Sequence, residues 1–350
     1  PMPARADWIT AAAAKPPLFA GVDLGGTNIK VGLVDDDGRT LAFHTEPTLV
    51  GKGPDDVCRR MGAAVHTVAG MAGVAPAAIA RVGLGTPGPQ DLKAGTIIRA
   101  GNLPGFDGYP VREAVSRACG LPVTFANDAT AAGYGEFWIG SAREFGSSVL
   151  LTLGTGIGGG IVIAGEPLEG AHSHGAECGH NLVDPSPDAR VCPCGMPGHL
   201  EAYCSAKALL KRARQVLDLA PGGSLARAVD GGAELTPLLV SREAAAGDGV
   251  ALDLILEVAR WLGIGIVTLM HSVDPDAVLL GGAMTFGGEE HPVGRAFLER
   301  IRAEVKSRTF PLLAERTTIR FARLGGDAGY VGAAGIARLE HQRLARPAAG

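Results

Sequence analysis

Twice in this chain an apolar run breaks at a glycine turn and then resumes. Leu18–Leu24 leads through Gly25-Gly26-Thr27-Asn28 into residues 31–34. Residues 148–153 lead through Gly154-Thr155-Gly156-Ile157-Gly158-Gly159-Gly160 into residues 161–164. Each reads as a strand, glycine turn, strand hairpin. Two copies of one unit, about 130 residues apart, predict two similar α/β lobes facing each other. The remaining pattern agrees, with helical spacing over 55–73, 109–119, 128–137, 205–216, 236–246, 251–270 and 328–345, and short strands over 82–84, 123–125 and 277–280. Residues 1–17 read as a flexible leader without the features of a signal peptide. Residues 18–126 form the small α/β lobe, completed by the closing helix 328–345, and 127–327 form the large one.

Composition closes off several function classes. With 32 Lys and Arg against 36 Asp and Glu, the formal net charge is −4, so no basic field draws the chain to nucleic acid. The uncharged run 261–270 is about half the length of a membrane span and predicts a buried helix. Cysteines gather at Cys192, Cys194 and Cys204, a spacing that favours a metal over disulfides and hence a reducing cytoplasm.

The glycine loops carry the first chemistry. Asp23-Leu24-Gly25-Gly26-Thr27-Asn28 ends a strand in a carboxylate followed by bare backbone. Glycine lets amide N–H groups approach phosphate oxygens, Thr27 and Asn28 add side-chain donors, and Asp23 can hold Mg²⁺ through water. A lone turn of this kind is more often a plain hairpin. The second loop, Gly154-Thr155-Gly156, supports a triphosphate cleft between two facing loops. No Gly-Lys-Ser/Thr follows, which excludes a P-loop, and a strand rather than a helix follows each turn, which excludes a dinucleotide fingerprint. Asn127-Asp128 stands at a strand-to-helix junction, where it serves either as a helix cap or as a general base beside an orienting amide.

Residues 177–201 carry the second chemistry. Glu177-Cys178-Gly179-His180 and Cys192-Pro193-Cys194, followed by His199 and Glu201, combine thiols and imidazoles with carboxylates. Thiolate and imidazole are the ligands of structural Zn²⁺, and the glutamates are left to grip a polar ligand. His180, Cys192, Cys194 and His199 form the expected set, with Cys204 a competing ligand. Cys58 and Cys119 read as buried apolar thiols.

Taken together, Asp23-Leu24-Gly25-Gly26-Thr27, Gly85-Thr86-Pro87-Gly88, Asn102-Leu103-Pro104-Gly105, Asn127-Asp128-Ala129, the 153–160 loop and Glu177-x-Gly179-His180 with its Cys-x-Cys-Gly turn resemble the ROK family of repressors and sugar kinases. Within that family the motifs look most like those of bacterial glucokinases. The resemblance spans about residues 18–340. It implies an actin-like/ribonuclease-H-like fold whose two lobes close on ATP, Mg²⁺ and a hexose. It implies Asp128 as catalytic base and Asn102, Asn127, Glu177, His180 and Glu201 as further sugar ligands. It also implies Gly25–Asn28 and Gly154–Gly156 as phosphate loops, and Gly281-Gly282 on the adenosine side. The family commonly has a third cysteine where His199 stands, so a Cys₂His₂ zinc site completed by His180 is expected.

The expected reaction is ATP-dependent phosphorylation of a hexose at C6, glucose first. N-acylhexosamine and fructose kinases share nearly every motif. A sugar-responsive repressor would need a helix-turn-helix module, for which residues 1–17 are too short. The resemblance implies a homodimer, and charge, cysteine usage and the short apolar runs predict a cytoplasmic protein with neither nucleic acid nor membrane as partner.

Overall fold

The computed structural model describes residues 8–219 and 222–346. Strand β1 (Leu18–Leu24) pairs antiparallel with β2 (Asn28–Val34). Leu24 lies opposite Ile29 and Asp23 opposite Lys30, so the turn is confined to the glycine loop. Strand β3 (Thr40–Pro47) extends the meander antiparallel to β2. Helix α1 (Pro54–Met71) follows, with Pro54 in its first turn and Asp55 and Asp56 at the positive end of its dipole. Its buried face is Val57, Met61, Ala64, Val65 and Val68, the stripe expected from the sequence. Strand β4 (Ile79–Thr86) runs parallel to β1. A small hairpin, β5 (Gln90–Asp91) and β6 (Thr96–Ile97), leads to α2 (Val111–Cys119). Strand β7 (Val123–Asn127) then pairs parallel with β4 and passes directly into α3 (Asp128–Trp138). The first sheet has the order β3-β2-β1-β4-β7.

The pattern then repeats. Strands β8 (Ser147–Leu153), β9 (Ile157–Ile163) and β10 (Glu166–Pro167) come first. After a long loop come helices α4 (Glu201–Cys204), α5 (Ala206–Leu219), α6 (Gly223–Asp230), α7 (Pro237–Ala245) and α8 (Gly249–Val273). Strand β11 (Ala277–Gly282), helices α9 (Pro292–Arg308) and α10 (Pro311–Arg316) and strand β12 (Thr318–Phe321) complete the repeat, and α11 (Ala328–Ala345) closes the chain. The second sheet has the order β10-β9-β8-β11-β12, with β11 parallel to both neighbours. Both sheets thus share one order, third–second–first–fourth–fifth strand, and the duplication seen in the two glycine loops extends to whole sheets.

Packing divides the chain into two compact units. Unit 1 comprises the chain up to Glu144, Gly160–Ala176 and the stretch from Leu324 onward; unit 2 comprises Phe145–Gly159 and Glu177–Arg323. Residues 127–144, assigned from the sequence to the second lobe, pack in unit 1, because α3 lies along α11. Helix α11 covers the first sheet at backbone distance. A Cβ on Gly83 of β4 would come within 1.8 Å of the Ala333 carbonyl oxygen, so the contact requires glycine there. Phe19, Val34, Phe43, Tyr330 and Val331 fill this face, while α1 and α2 bury Val22, Leu24, Leu33, Met61 and Val115 on the other. Burying each large side chain contributes about 1.5–3 kcal/mol.

The run 261–270 lies in α8, and among the described residues no helix is long and apolar enough to cross a membrane. Strand β9 begins at Ile157 although its glycines read as part of the turn. Gly160 is bare because a Cβ there would meet the Ala129 carbonyl oxygen of α3 at 2.5 Å.

Candidate active site and metal cluster

The first glycine loop is held from beneath. The Gly25 amide donates to the Asn28 carbonyl at 2.9 Å, the Thr48 hydroxyl to the Gly25 carbonyl at 2.6 Å, and the Thr48 amide to the Thr27 carbonyl at 2.8 Å. Among the described residues, the Gly26 and Thr27 amides have no hydrogen-bond acceptor. Two successive open amides form a concavity suited to an anion. Asp23 sits half-buried at the end of β1, where a Cβ on Gly329 of α11 would come within 2.5 Å of its carboxylate. Burial pushes its carboxyl above the ordinary value of 3.8, and the Lys30 ammonium pulls the other way. Lys30, which the sequence reading passes over, faces Asp23 across the hairpin and donates to the Gly326 carbonyl at 3.2 Å. The signal that could have found it is the register: a turn confined to residues 25–27 sets residue 30 opposite residue 23.

The Asn127-Asp128 junction carries the helix cap its sequence allowed. Asn127 is the N-cap of α3, its side-chain oxygen accepting from the Ala129 amide at 2.9 Å and the Thr130 amide at 3.3 Å. Such a cap contributes about 1 kcal/mol. Asp128 is the first helical residue, with one carboxylate oxygen 2.8 Å from the Ala129 amide. Beneath it lies Gln90, buried at 2% exposure. Its amide nitrogen donates to the Thr86 carbonyl at 2.8 Å, the Thr86 hydroxyl at 2.7 Å and the Ala126 carbonyl at 3.1 Å. Gln90 therefore ties the end of β4 to the residue before Asn127. Nothing in its local sequence announces this role, which only the parallel β4–β7 pairing creates. Asn102 leans on the glycine loop: a Cβ on Gly26 would lie 2.9 Å from its side-chain nitrogen. Asn102, Asn127 and Asp128 all belong to unit 1.

Unit 2 builds its loop differently. The Gly154 amide donates to the Gly156 carbonyl at 3.0 Å, and the Ala206 amide at the start of α5 donates to the Gly154 carbonyl at 2.9 Å. The Thr155 and Gly156 amides have no acceptor among the described residues, again a successive pair. Glu201 takes the next one, accepting from the Ile157 amide at 2.9 Å. Gly281 and Gly282 end β11 beside β8, Gly281 opposite Thr152 and Gly282 opposite Leu153.

The 177–201 segment gathers its metal-ligating side chains. The ligand atoms of His180, Cys192, Cys194 and His199 all lie within 4.8 Å of one another. Local backbone explains the meeting. Bridges pair Leu182 with His199 and Val191 with Pro197, and the Cys192 amide reaches the Met196 carbonyl to close the knuckle around Cys194. His180 turns Nδ1 toward the Cys192 sulfur at 3.8 Å and Nε2 toward the Glu177 carboxylate at 3.9 Å. Two thiols and two imidazoles at this spacing fit a tetrahedral zinc site. Cys204 is outside the cluster, fully buried with its thiol toward the Val258 carbonyl. Cys178 is also buried, and that burial with the Glu177 charge pushes its thiol up to about 12. Cys58 and Cys119 are buried, as expected.

Two five-stranded sheets of one order, each opening with a glycine loop, define the actin-like ATPase fold. Within that fold the chain belongs to the ROK family, whose sequence profile matches residues 19–340. It is 34% identical over 328 residues to a glucokinase of Streptomyces coelicolor, covering 92% of this chain and 98% of that protein. The ROK hexokinase of Thermus thermophilus superposes with a TM-score of 0.79 at 35% identity, covering 93% of this chain and 99% of the other. A ROK glucokinase from Streptomyces griseus, solved with glucose and AMPPNP, superposes with a TM-score of 0.74 at 34% identity, covering 92% and 99%.

Proposed function

We propose that this chain is an ATP-dependent hexose kinase that phosphorylates the C6 hydroxyl, with glucose as its principal acceptor. The observation that carries the reading is the pair of glycine loops, each presenting two successive open amides. Membership of a family with glucokinase relatives of similar length supports it.

Phosphoryl transfer needs alignment and charge neutralisation more than covalent help. The Gly25–Asn28 and Gly154–Gly156 loops would hold phosphate oxygens through their amides, and Gly281-Gly282 would line the adenosine side. Asp23 would hold Mg²⁺ through water, which offsets phosphate charge when bound with the nucleotide. Asn102, Asn127, Glu177, His180 and Glu201 would bind the sugar hydroxyls. Asp128 would accept the C6 hydroxyl proton as the new O–P bond forms and the bond to the ADP oxygen breaks. General base help of this kind contributes about 10²–10⁴ in rate. His180, Cys192, Cys194 and His199 would hold a structural Zn²⁺. Burial leaves the Cys192 thiol at about 12 without metal, so binding must release its proton. With Nδ1 on the metal side, the other His180 nitrogen is left for Glu177 and the sugar. The enzyme would act in the cytoplasm as a homodimer.

A coupled assay across glucose, mannose, fructose, N-acetylglucosamine and N-acetylmannosamine with ATP and Mg²⁺ tests the reading. Glucose is expected to give the highest kcat/KM. A higher value for another sugar would move the acceptor assignment, and turnover of none would overturn the kinase reading.

A further inference from the structure

Unit 2 has a cavity of about 280 Å³ lined by α5 and the 190–202 segment, and it shares Glu201 and Cys192 with the sugar and metal ligands assigned above. Its walls carry Arg190, Lys207, Lys211 and Arg212, with the Ser205 hydroxyl and Cys192 beside them. Arg190 is fixed in place: its guanidinium lies 4.7 Å from the centroid of the Tyr203 ring and donates to Glu257 at 2.7 Å. Arg212 donates to the other oxygen of the same Glu257 at 3.0 Å. Glu257 takes both guanidiniums and the Asp184 carboxylate also feels the Arg190 charge, so the unpaired positive charge of the wall rests on the two lysines. Lys207 and Lys211 stand one turn apart on α5, exposed, and no carboxylate pairs with either among the described residues. The one acidic side chain in the wall, Glu201, already accepts from the Ile157 amide.

We infer that this cavity binds a phosphate dianion, either inorganic phosphate or the phosphate group of a small ester such as a hexose 6-phosphate. A dianion matches a cluster in which a pre-positioned guanidinium meets two mobile ammonium groups. The pocket opens to solvent, so binding weakens as ionic strength rises. This goes beyond the kinase reading, since none of the four cations belongs to the loops or sugar ligands assigned above.

The test is calorimetric titration of the whole chain with inorganic phosphate and, separately, with glucose 6-phosphate, before and after Lys207→Glu/Lys211→Glu. Saturable binding by the wild type, at least about 10-fold weaker in the double variant, is the expected result, about 1.4 kcal/mol by the affinity relation. The ligand whose affinity the double variant weakens identifies the source, since glucose 6-phosphate as product also occupies the sugar site of the kinase reading. In phosphate-free buffer, kcat and KM for hexose and ATP should be unchanged by the substitutions. If charge reversal prevents folding, Lys207→Gln/Lys211→Gln must show the same loss in smaller measure. No saturable heat with either ligand, or equal affinity in wild type and variant, would overturn the site. Because binding is read without turnover, its failure is separate from failure of the kinase reading.

Discussion

The two glycine loops use the same backbone device with different supports. In unit 1 the loop hangs on a threonine, with the Thr48 hydroxyl and amide bonding two of its carbonyls. In unit 2 the same work falls to the first amide of α5 and to the Glu201 carboxylate. The residue two before the first glycine also differs, Asp23 in one and Thr152 in the other. One loop therefore has a carboxylate at the end of the strand that leads into it, whereas the other has the carboxylate of Glu201 bonded to the amide that follows its open pair. A duplicated fold has kept a pair of successive open amides and varied the side chains beside them. The neighbouring residues diverge as well: unit 1 fixes Asn127 and Asp128 by a helix cap, whereas unit 2 carries Glu177 and His180 on a loop that gathers two thiols and two imidazoles.

The largest effect should come from unit 1. Asp128→Asn keeps the cap, since Asn127 supplies it, and is expected to lower kcat by roughly 10²-fold or more with little change in hexose KM. Steady-state kinetics on a folded variant checks this, and near-normal kcat would remove Asp128 from the base role. Next comes the metal. Elemental analysis should find one zinc per chain, lost in Cys192→Ser or Cys194→Ser, with activity about 10–100-fold lower through poorer hexose binding. Purified, fully active protein without zinc would end the contrast between a capped half and a metal-shaped half.

A finer test sets the loops against each other. A methyl group on Gly156 would stand 2.4 Å from a Glu201 oxygen, against 2.9 Å from Asn102 nitrogen for Gly26. Both neighbours are ends of flexible side chains, so both alanine variants should fold, and Gly156→Ala should raise hexose KM more. The reverse order would mean that backbone conformation, not crowding, controls these loops.

The smallest effect concerns stability. Burial raises the Asp23 pKa above the unfolded value, so the folded state holds that proton more tightly. The resulting stability is present below the ordinary carboxylate pKa of 3.8 and is lost as pH rises through the folded pKa. Asp23→Asn should therefore raise Tm at pH 7, with the gap to wild type closing toward pH 4, while activity falls. Equal or lower Tm at pH 7 would show that Lys30 outweighs burial.

Local signals carried much of this architecture. The β1–β2 hairpin, the Asn127 cap and the metal knuckle all rest on neighbours within a few residues, or on donor types few other sites use. Long-range packing was hidden. Gly160 reads as turn because nothing in the sequence says that α3 will press against it. Gln90 gains its role from Ala126, and residues 127–144 join unit 1 through α11. Helix α9 is a plainer omission: Val293, Phe297, Leu298, Ile301 and Val305 are helically spaced behind Pro292, yet the reading names no element there.

The close seating of α11 on β1 and β4 has a consequence for synthesis. Phe19 and Val34 leave the ribosome early, but their cover, Tyr330 and Val331, lies some three hundred residues behind. At about 5–20 residues per second, the first sheet waits tens of seconds with one oily face bare. Nearly all of unit 2 emerges in that interval and can fold first. The nascent chain is thus a finished insert carried between two unfinished ends, and the exposed face is where a chaperone would be needed and where aggregation would begin.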